Sequence, residues 1–368
     1  MKPFRLHHLF NILYDWEEQE HTPIDRFLRN YFRENKAAGS HDRREIVETL
    51  YGMIRWRSLL DYLSEGMPSW EKRFDEYQNL PDDRCKNDPS IPLHIRACFP
   101  EEIFAMLVDV YGEERAFELC WESNFPAPTT IRVNTLKISR EELLERWTGE
   151  YYVEPCEHSK EGIVFKRKIN FFALDEFKKG LFEVQDEGSQ CVAYMLKAQP
   201  GDHVMDYCAG AGGKTLAFAP AMEGKGQIYL HDIRPRALDE ARIRLRRAGV
   251  QNSQVVHHDA PHLKKLKKKM DWVLVDAPCS GMGTLRRNPD MKWKCSKKMV
   301  MRIASEQRVI FERALSFMKP EGRIIYATCS MLPEENEQQM EHFIKTYNLK
   351  VEGEPFRSFP AKDGMDGF

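Results

Sequence analysis

The stretch Asp206-Tyr207-Cys208-Ala209-Gly210-Ala211-Gly212-Gly213-Lys214-Thr215 decides how the rest of the chain is read. It follows the strand-like run His203–Tyr207 and leads into a helix-compatible segment, so three glycines stand where a strand turns into a helix. Lacking a Cβ, glycines at such a turn let a ligand approach the backbone closely. The Gly-Lys-Thr ending imitates a phosphate-binding loop. That loop needs a glycine five positions before Gly213, where this chain has Cys208. The dinucleotide pattern Gly-x-Gly-x-x-Gly also fails, because position 215 is Thr.

Outward from this turn, strands and helices alternate from about residue 181. Strand candidates are His203–Tyr207, Gln227–His231, Gln254–His258, Trp272–Val275 and Arg323–Ala327, with helices such as Arg236–Ala248 and Met299–Met318 between them. This alternation argues for a parallel sheet with right-handed crossovers. Three acids, Asp206, Asp232 and Asp259, end the first three candidates or follow them directly. Asp232 lies twenty residues after Gly212 (232 minus 212), where a carboxylate can hold a ribose diol. Asp259 is placed to accept from an adenine amino group. A ligand with adenine and ribose but no phosphate clamp is S-adenosylmethionine. Its expected contacts are Cys208, Ala209, Gly210, Ala211, Gly212, Gly213, Lys214, Asp232, Asp259 and Asp276.

Two cysteines share one context. Cys279 lies in Asp276-Ala277-Pro278-Cys279-Ser280-Gly281 after Trp272–Val275, and Cys329 in Ala327-Thr328-Cys329-Ser330 after Ile324-Ile325-Tyr326. Residues just past the carboxyl ends of parallel strands line the ligand crevice. Both thiols should therefore meet at one site beside Asp276. A thiol pair next to an acid suggests nucleophilic chemistry, although any single free cysteine is more often a small buried residue.

The 368 residues suffice for two or three domains, and the net charge of −2 offers no global attraction to nucleic acid. The nine cysteines are scattered and form no Cys-x-x-Cys, so zinc ribbons and thioredoxin-like motifs find no support and no metal is expected. Such usage fits a reducing, cytoplasmic setting. The N-terminus shows no signal-peptide pattern, and no apolar run is long enough for a membrane span. A monomer is expected.

The first part of the chain reads as helical. Leu6, Leu9, Phe10 and Leu13 recur at helical spacing, a helix start is expected at Ser40-His41-Asp42, and a further helical stretch covers roughly 100 to 123. Asn79, Pro81, Asp82, Asp83, Asn87, Asp88, Pro89 and Pro92 suggest a linker. After Phe125-Pro126-Ala127-Pro128 come a strand at Thr130–Asn134, a helix near 139–147 and a strand near 162–165. The expected organisation is a helical domain over 1–78, linker and helices over 79–125, a small α+β subdomain over 126–180 and the α/β domain over 181–368.

Four motifs together resemble the RNA cytosine-5 methyltransferases, and most closely the bacterial Sun/Fmu group that modifies ribosomal RNA. They are the 206–215 turn, Asp276-Ala-Pro-Cys-Ser-Gly-Met-Gly-Thr284, Arg286-Arg-Asn-Pro-Asp290, and Thr328-Cys-Ser330 followed by Pro333-Glu-Glu-Asn336. The resemblance is strong from Val184-Gln185-Asp186-Glu187-Gly188-Ser189 onward. It extends more loosely to Ala127-Pro128 and Arg132-Val133-Asn134-Thr135. It implies a Rossmann-like S-adenosylmethionine-dependent methyltransferase sheet, an RNA-binding role for the small insert and an antitermination-factor-like N-terminal domain. It also implies that Cys329 is the nucleophile and that Cys279 assists release. Members of the group usually continue through a further apolar strand beyond the position of Phe368.

The chemistry explains why these residue types are wanted. Carbon 5 of cytosine is a poor nucleophile until a thiolate adds at carbon 6. The ring then needs a proton or hydrogen bond at its Watson–Crick edge, for which Asp276 is the candidate. After methylation the hydrogen on carbon 5 must leave, so a second thiol is useful. RNA contact is expected from Arg286, Arg287 and Lys292, within a basic stretch that also holds Trp293, Lys294, Lys297 and Lys298. The run Lys264–Lys269 reads as an exposed face. Arg242, Arg244, Arg246 and Arg247 read as the solvent side of an amphipathic helix. A target base in folded RNA would have to be turned out of its helix. Two alternatives stay open: the same fold acting on tRNA, DNA or protein, and a non-catalytic RNA-binding or assembly factor.

Overall fold

The computed structural model describes residues 1–19, 22–80, 83–167, 169–361 and 364–368. These form two units. One comprises Met1–Pro126 with Ser280–Val300 and residues 360–361; the other comprises Ala127–Cys279 with Met301–Phe359 and residues 364–368.

The first unit is helical. Its longest helices, Pro3–Glu17 and Ser40–Arg55, bury Leu9, Ile12, Trp16, Leu50 and Met53 in a core shared with Trp70. The helical stretch expected over roughly 100–123 comprises two helices, Glu101–Tyr111 and Glu113–Glu122. They break at Gly112, whose φ of 76° lies in the left-handed region that glycine tolerates best. Within the expected linker, Asp83–Asn87 is a short helix, while Pro81 and Asp82 lie outside the described residues.

The second unit holds two sheets. The smaller one contains β1 (Thr129–Val133), β2 (Val153–Pro155), β3 (Gly162–Phe165) and β4 (Phe182–Val184), antiparallel in the order β2-β3-β1-β4. Because β4 closes it, this sheet extends past residue 180, where the sequence suggested a boundary. Its side-chain partners also correct the reading of one helix. Arg244 and Arg247 of the helix Pro235–Ala248 do not simply face solvent: both donate to the buried Glu183 of β4, at 3.1 and 2.5 Å. Asn134 Nδ2 adds bonds of 2.8 Å to the carbonyls of Gly180 and Ala248.

The larger sheet contains β5 (His203–Asp206), β6 (Gln227–Asp232), β7 (Ser253–His257), β8 (Met270–Asp276) and β9 (Met318–Ala327). All pairs are parallel, in the order β7-β6-β5-β8-β9, a Rossmann-like arrangement. Its central strands are apolar on both sides, as a sheet covered on both faces requires. Val204, Ile228, Leu230 and Leu274 pack with Leu238, Ala241 and Leu245 of the helix Pro235–Ala248. Met205, Val273 and Val275 face the opposite layer, with Ala314 of the helix Lys297–Leu315. Burying one such side chain stabilises the fold by about 1.5–3 kcal/mol, so the strand ends stand on a rigid base. Strand β9 begins at Met318, which pairs with Met270 ahead of a bulge, rather than at Arg323. Pro320 and Gly322 conceal that early pairing in the sequence.

Candidate active site

In a parallel sheet every strand ends at the same edge, so the turns after β5, β6, β8 and β9 open together. The register aligns Asp206 with Leu274 and Asp276 with Ala327. Cys279 and Cys329 therefore leave neighbouring strands at matching heights, and their Sγ atoms lie 3.2 Å apart. The two thiols, 50 positions apart in the chain, meet as the strand-end argument expects.

The turn after β5 takes its shape from two glycines. Gly210 has φ 52° and Gly212 φ 75°. A Cβ on Gly212 would come within 3.3 Å of the Ala241 Cβ, so this glycine also admits the helix Pro235–Ala248. Asp206 is 1% exposed, and its Oδ2 accepts from Thr215 Oγ1 at 2.7 Å. Its Oδ1 is buried without a hydrogen bond. Burial, with the nearby charges of Asp276 and Asp232, pushes the Asp206 carboxyl up to about 7.

Lys214, from the same turn, places its Nζ 2.6 Å from Asp276 Oδ2. Burial alone would lower its ammonium. The adjoining Asp276 outweighs burial, with help from Cys329 and Asp206, and the group ends above its ordinary value. Cys208 is different: burial and the surrounding carboxylates push its thiol up, which disfavours a thiolate there.

Asp232 ends β6 and accepts from the Gly210 N–H at 2.9 Å, which ties the two turns together. Arg234 forks onto it, with Nε 2.9 Å from Oδ1 and Nη2 3.0 Å from Oδ2. Burial raises this carboxyl, but the Arg234 and Gly210 hydrogen bonds outweigh burial and hold it below the usual carboxylate range. Asp259 follows β7 in an exposed turn. Two neighbours escaped the sequence reading: Arg234, and Ile233, whose side chain is 73% exposed directly after Asp232. The sequence shows an apolar residue directly after the strand-ending Asp232, but not its exposure.

The Cys329 loop is braced from behind. Thr328 Oγ1 donates to Asn336 Oδ1 at 2.5 Å, and Asn336 Nδ2 donates to the carbonyls of Ser330 (2.8 Å) and Leu332 (3.1 Å).

Two of the three residues expected to meet RNA are not at the surface. Arg286 is 1% exposed; it donates to the carbonyls of Phe125, Pro126 and Ala361, and its own carbonyl accepts from Arg55 Nη2. Lys292 is equally buried and donates to Arg55 O at 2.7 Å and Asn124 Oδ1 at 2.5 Å. Both donate to main-chain and amide oxygens inside the helical unit, so their charges are unavailable to phosphates. Arg287 is half-buried, while Lys297 and Lys298 are exposed. Trp293 donates to Ile54 O, and Lys294 to Thr22 O and Asp290. Among the described residues no His, Cys, Asp or Glu cluster suits a metal ion, and no helix is long and apolar enough to cross a membrane.

Comparison with known proteins adds family context to this geometry. The family described as 16S rRNA methyltransferase RsmB/F matches residues 193–366, and the RsmF/B-like ferredoxin-like domain matches residues 99–171. Ribosomal RNA small subunit methyltransferase B of Photorhabdus laumondii is 30% identical over 88% of this chain and 75% of its own length. A probable ribosomal RNA small subunit methyltransferase B of Synechocystis is 30% identical over 70% of this chain. The matched part spans 58% of that relative's length. A solved structure, a methyltransferase homolog protein from Pyrococcus horikoshii, is 30% identical and superposes with a TM-score of 0.61 over 70% of this chain and 83% of that one.

Proposed function

We propose, since the chain belongs to the 16S rRNA methyltransferase RsmB/F family, that it transfers a methyl group from S-adenosylmethionine to carbon 5 of a cytosine in ribosomal RNA. The observation that carries this reading is the pair of thiols 3.2 Å apart, at the ends of adjacent strands, beside the Lys214–Asp276 ion pair. Methylation of a nitrogen or oxygen acceptor needs no such pair.

The residues present fit the cofactor. Asp232 stands where a carboxylate would meet a ribose diol, which would take the place of the Arg234 guanidinium on its oxygens, with the exposed Ile233 next to it as an apolar surface for a ring. Gly210 and Gly212 open the turn to close approach. The orphaned Asp206 Oδ1 beneath that turn suits a cationic amino group. When bound, S-adenosylmethionine supplies an electrophilic methyl group on sulfonium.

The protein's own residues then divide the work on the base. Cys329 adds to carbon 6 as a thiolate. Lys214 pairs with Asp276 and fixes its orientation, so the carboxylate accepts a hydrogen bond from the exocyclic amino group on the Watson–Crick edge and holds the ring in place. Carbon 5, made nucleophilic by that addition, takes the methyl group. Cys279, as a thiolate, takes the carbon 5 proton, directly or through water; the electron pair of that C–H bond forms the carbon 5–carbon 6 double bond as the Cys329–carbon 6 bond breaks, restoring the aromatic ring.

The two thiols must therefore fail differently. Cys329→Ala should form no covalent adduct and transfer no methyl. Cys279→Ala should methylate and then accumulate as protein joined to RNA, visible on a denaturing gel with labelled methyl groups counted in parallel. An adduct from Cys329→Ala and none from Cys279→Ala would reverse the roles. No adduct from either, with methylation intact in both, would remove cysteine catalysis altogether.

A further inference from the structure

We propose that Gln307 is a positioning residue for the release step, holding the Cys279 loop in register with the loop that carries Cys329. Gln307 lies on the helix Lys297–Leu315 and is 0% exposed. Its Nε2 donates to the carbonyl of Pro278, the residue before Cys279, at 3.0 Å. The same amide reaches the buried Glu335 Oε1 at 3.4 Å. Glu335 adjoins Asn336, which braces Thr328 and Ser330 on either side of Cys329. One carboxamide thus joins the two cysteine loops.

Its orientation is itself fixed. Gln307 Oε1 accepts from Gln339 Nε2 at 3.2 Å. Gln339 is also fully buried; it donates to Ala304 O at 2.8 Å and accepts from Arg308 Nε at 3.0 Å. Tyr326 Oη donates to Glu335 O at 2.8 Å and ties the network to β9. Two N–H donors and one acceptor on a single planar group match what this position requires. A carboxylate of the same shape would turn lone pairs toward the Pro278 carbonyl and Glu335. Buried networks of this kind hold one arrangement when every member is satisfied.

The bond falls unequally on the two thiols. Cys329 keeps its own brace through Thr328 and Asn336 when Gln307 is lost, whereas the Pro278 carbonyl loses a donor. Release depends on where Cys279 stands relative to carbon 5, and a misplacement of about 1 Å can slow a step on the order of 10²-fold. Loss of Gln307 should therefore slow release more than attack. The inference rests on the reading of Cys329 as nucleophile and Cys279 as the releasing thiol.

The test compares wild type, Cys279→Ala, Gln307→Leu and the double variant, each with substrate RNA and labelled cofactor. Single-turnover methylation, multiple turnover and covalent adduct are measured on the same samples. Gln307→Leu should keep single-turnover methylation within about 3-fold, lose about 10- to 100-fold in multiple turnover and accumulate adduct. The double variant should be no slower in release than Cys279→Ala, because both act on one step. Equal slowing of methylation and release by Gln307→Leu, or additive slowing in the double variant, overturns the proposal as a general loss of structure. Unchanged turnover overturns it too. If Cys279→Ala itself traps no adduct, the assignment of the thiols falls and the inference with it. Should Gln307→Leu fail to fold, Gln339→Met leaves the Pro278 bond in place and removes the donor to Gln307 Oε1, together with the Gln339 bonds to Ala304 and Arg308. It should slow release selectively by a smaller factor, and equal slowing of both steps would overturn the proposal there as well.

Discussion

Lys214 and Lys292 are both withdrawn from water, 8% and 1% exposed, yet their surroundings push them in opposite directions. Lys214 meets a carboxylate, Asp276, at 2.6 Å, and its ammonium ends above the ordinary lysine value despite burial. Lys292 has carbonyl and amide oxygens, with the rings of Phe99 and Trp293 at 4.9 and 5.0 Å. Burial there drops it from 10.5 to about 7. A buried ammonium with a counter-charge beside a thiol is equipped for chemistry. One solvated by main-chain carbonyls pins segments of the fold together, here the Met291–Lys294 helix, Arg55 and Asn124.

The largest expected effect comes from removing each ammonium in turn. Lys214→Met strips the positive charge near Cys329 and leaves Asp276 without its partner, so single-turnover methylation should fall by about 10²–10⁴. Lys292→Met should leave methylation per folded molecule within a few-fold of wild type while lowering the thermal midpoint, because a carbonyl and an amide oxygen lose their donor. Rate measurements normalised to folded protein check both. Loss of methylation in a well-folded Lys292→Met would break the comparison.

The second effect is in stability against pH. The Lys292 ammonium titrates at about 7 in the folded protein and near 10.5 when unfolded. Between those values the unfolded state holds the extra proton, so this group makes the fold more stable as pH rises from 7 toward 10.5. Asp206 runs the other way: it titrates at about 7 folded and near 3.8 unfolded. The folded state holds the extra proton there, and stability falls as pH rises from 3.8 to 7. Together the two groups place a minimum near pH 7. Urea denaturation across this range should show Lys292→Met losing the rising limb and Asp206→Asn the falling one, each on the order of 4 kcal/mol. Parallel curves for wild type and both variants would contradict the burial argument.

The sequence places one lysine at the strand ends and hides the surroundings of the other for a physical reason. The five strands of the larger sheet are legible because buried parallel strands are continuous apolar runs. An acid, a glycine turn or a cysteine loop closes each run. Position at the strand ends then brings Cys279, Cys329 and Asp276 together without knowledge of any contact; Lys214 is legible there only as a cofactor contact, and its pairing with Asp276 comes from the structure. By contrast β2 and β4 have three residues each, too few for a period to show. The burial of Arg286 and Lys292 is illegible for another reason. Their partners Phe125, Arg55 and Asn124 lie 161, 237 and 168 positions away. A basic residue beside a tryptophan looks the same in sequence whether it faces phosphate or a carbonyl. The same holds for Arg244 and Arg247, whose helical spacing gives no hint of Glu183.

The smallest effect sharpens the comparison inside the basic stretch itself. Of the three residues first read as RNA contacts, Arg287 alone is partly open to solvent. Each phosphate neutralised by a side chain contributes close to one unit to the slope of binding against salt. Arg287→Gln should therefore weaken RNA binding modestly and reduce that slope by no more than about one, with cofactor affinity unchanged. Lys292→Met, measured on folded protein, should leave the slope where it was, since a buried ammonium has no counterions to displace. Filter binding over a salt series distinguishes the two. A slope that drops for Lys292→Met and stays constant for Arg287→Gln would mean that the loop turns its buried face outward when RNA arrives. Lys292 would then serve as a contact in that state, and the division between a lysine for chemistry and a lysine for architecture would no longer hold.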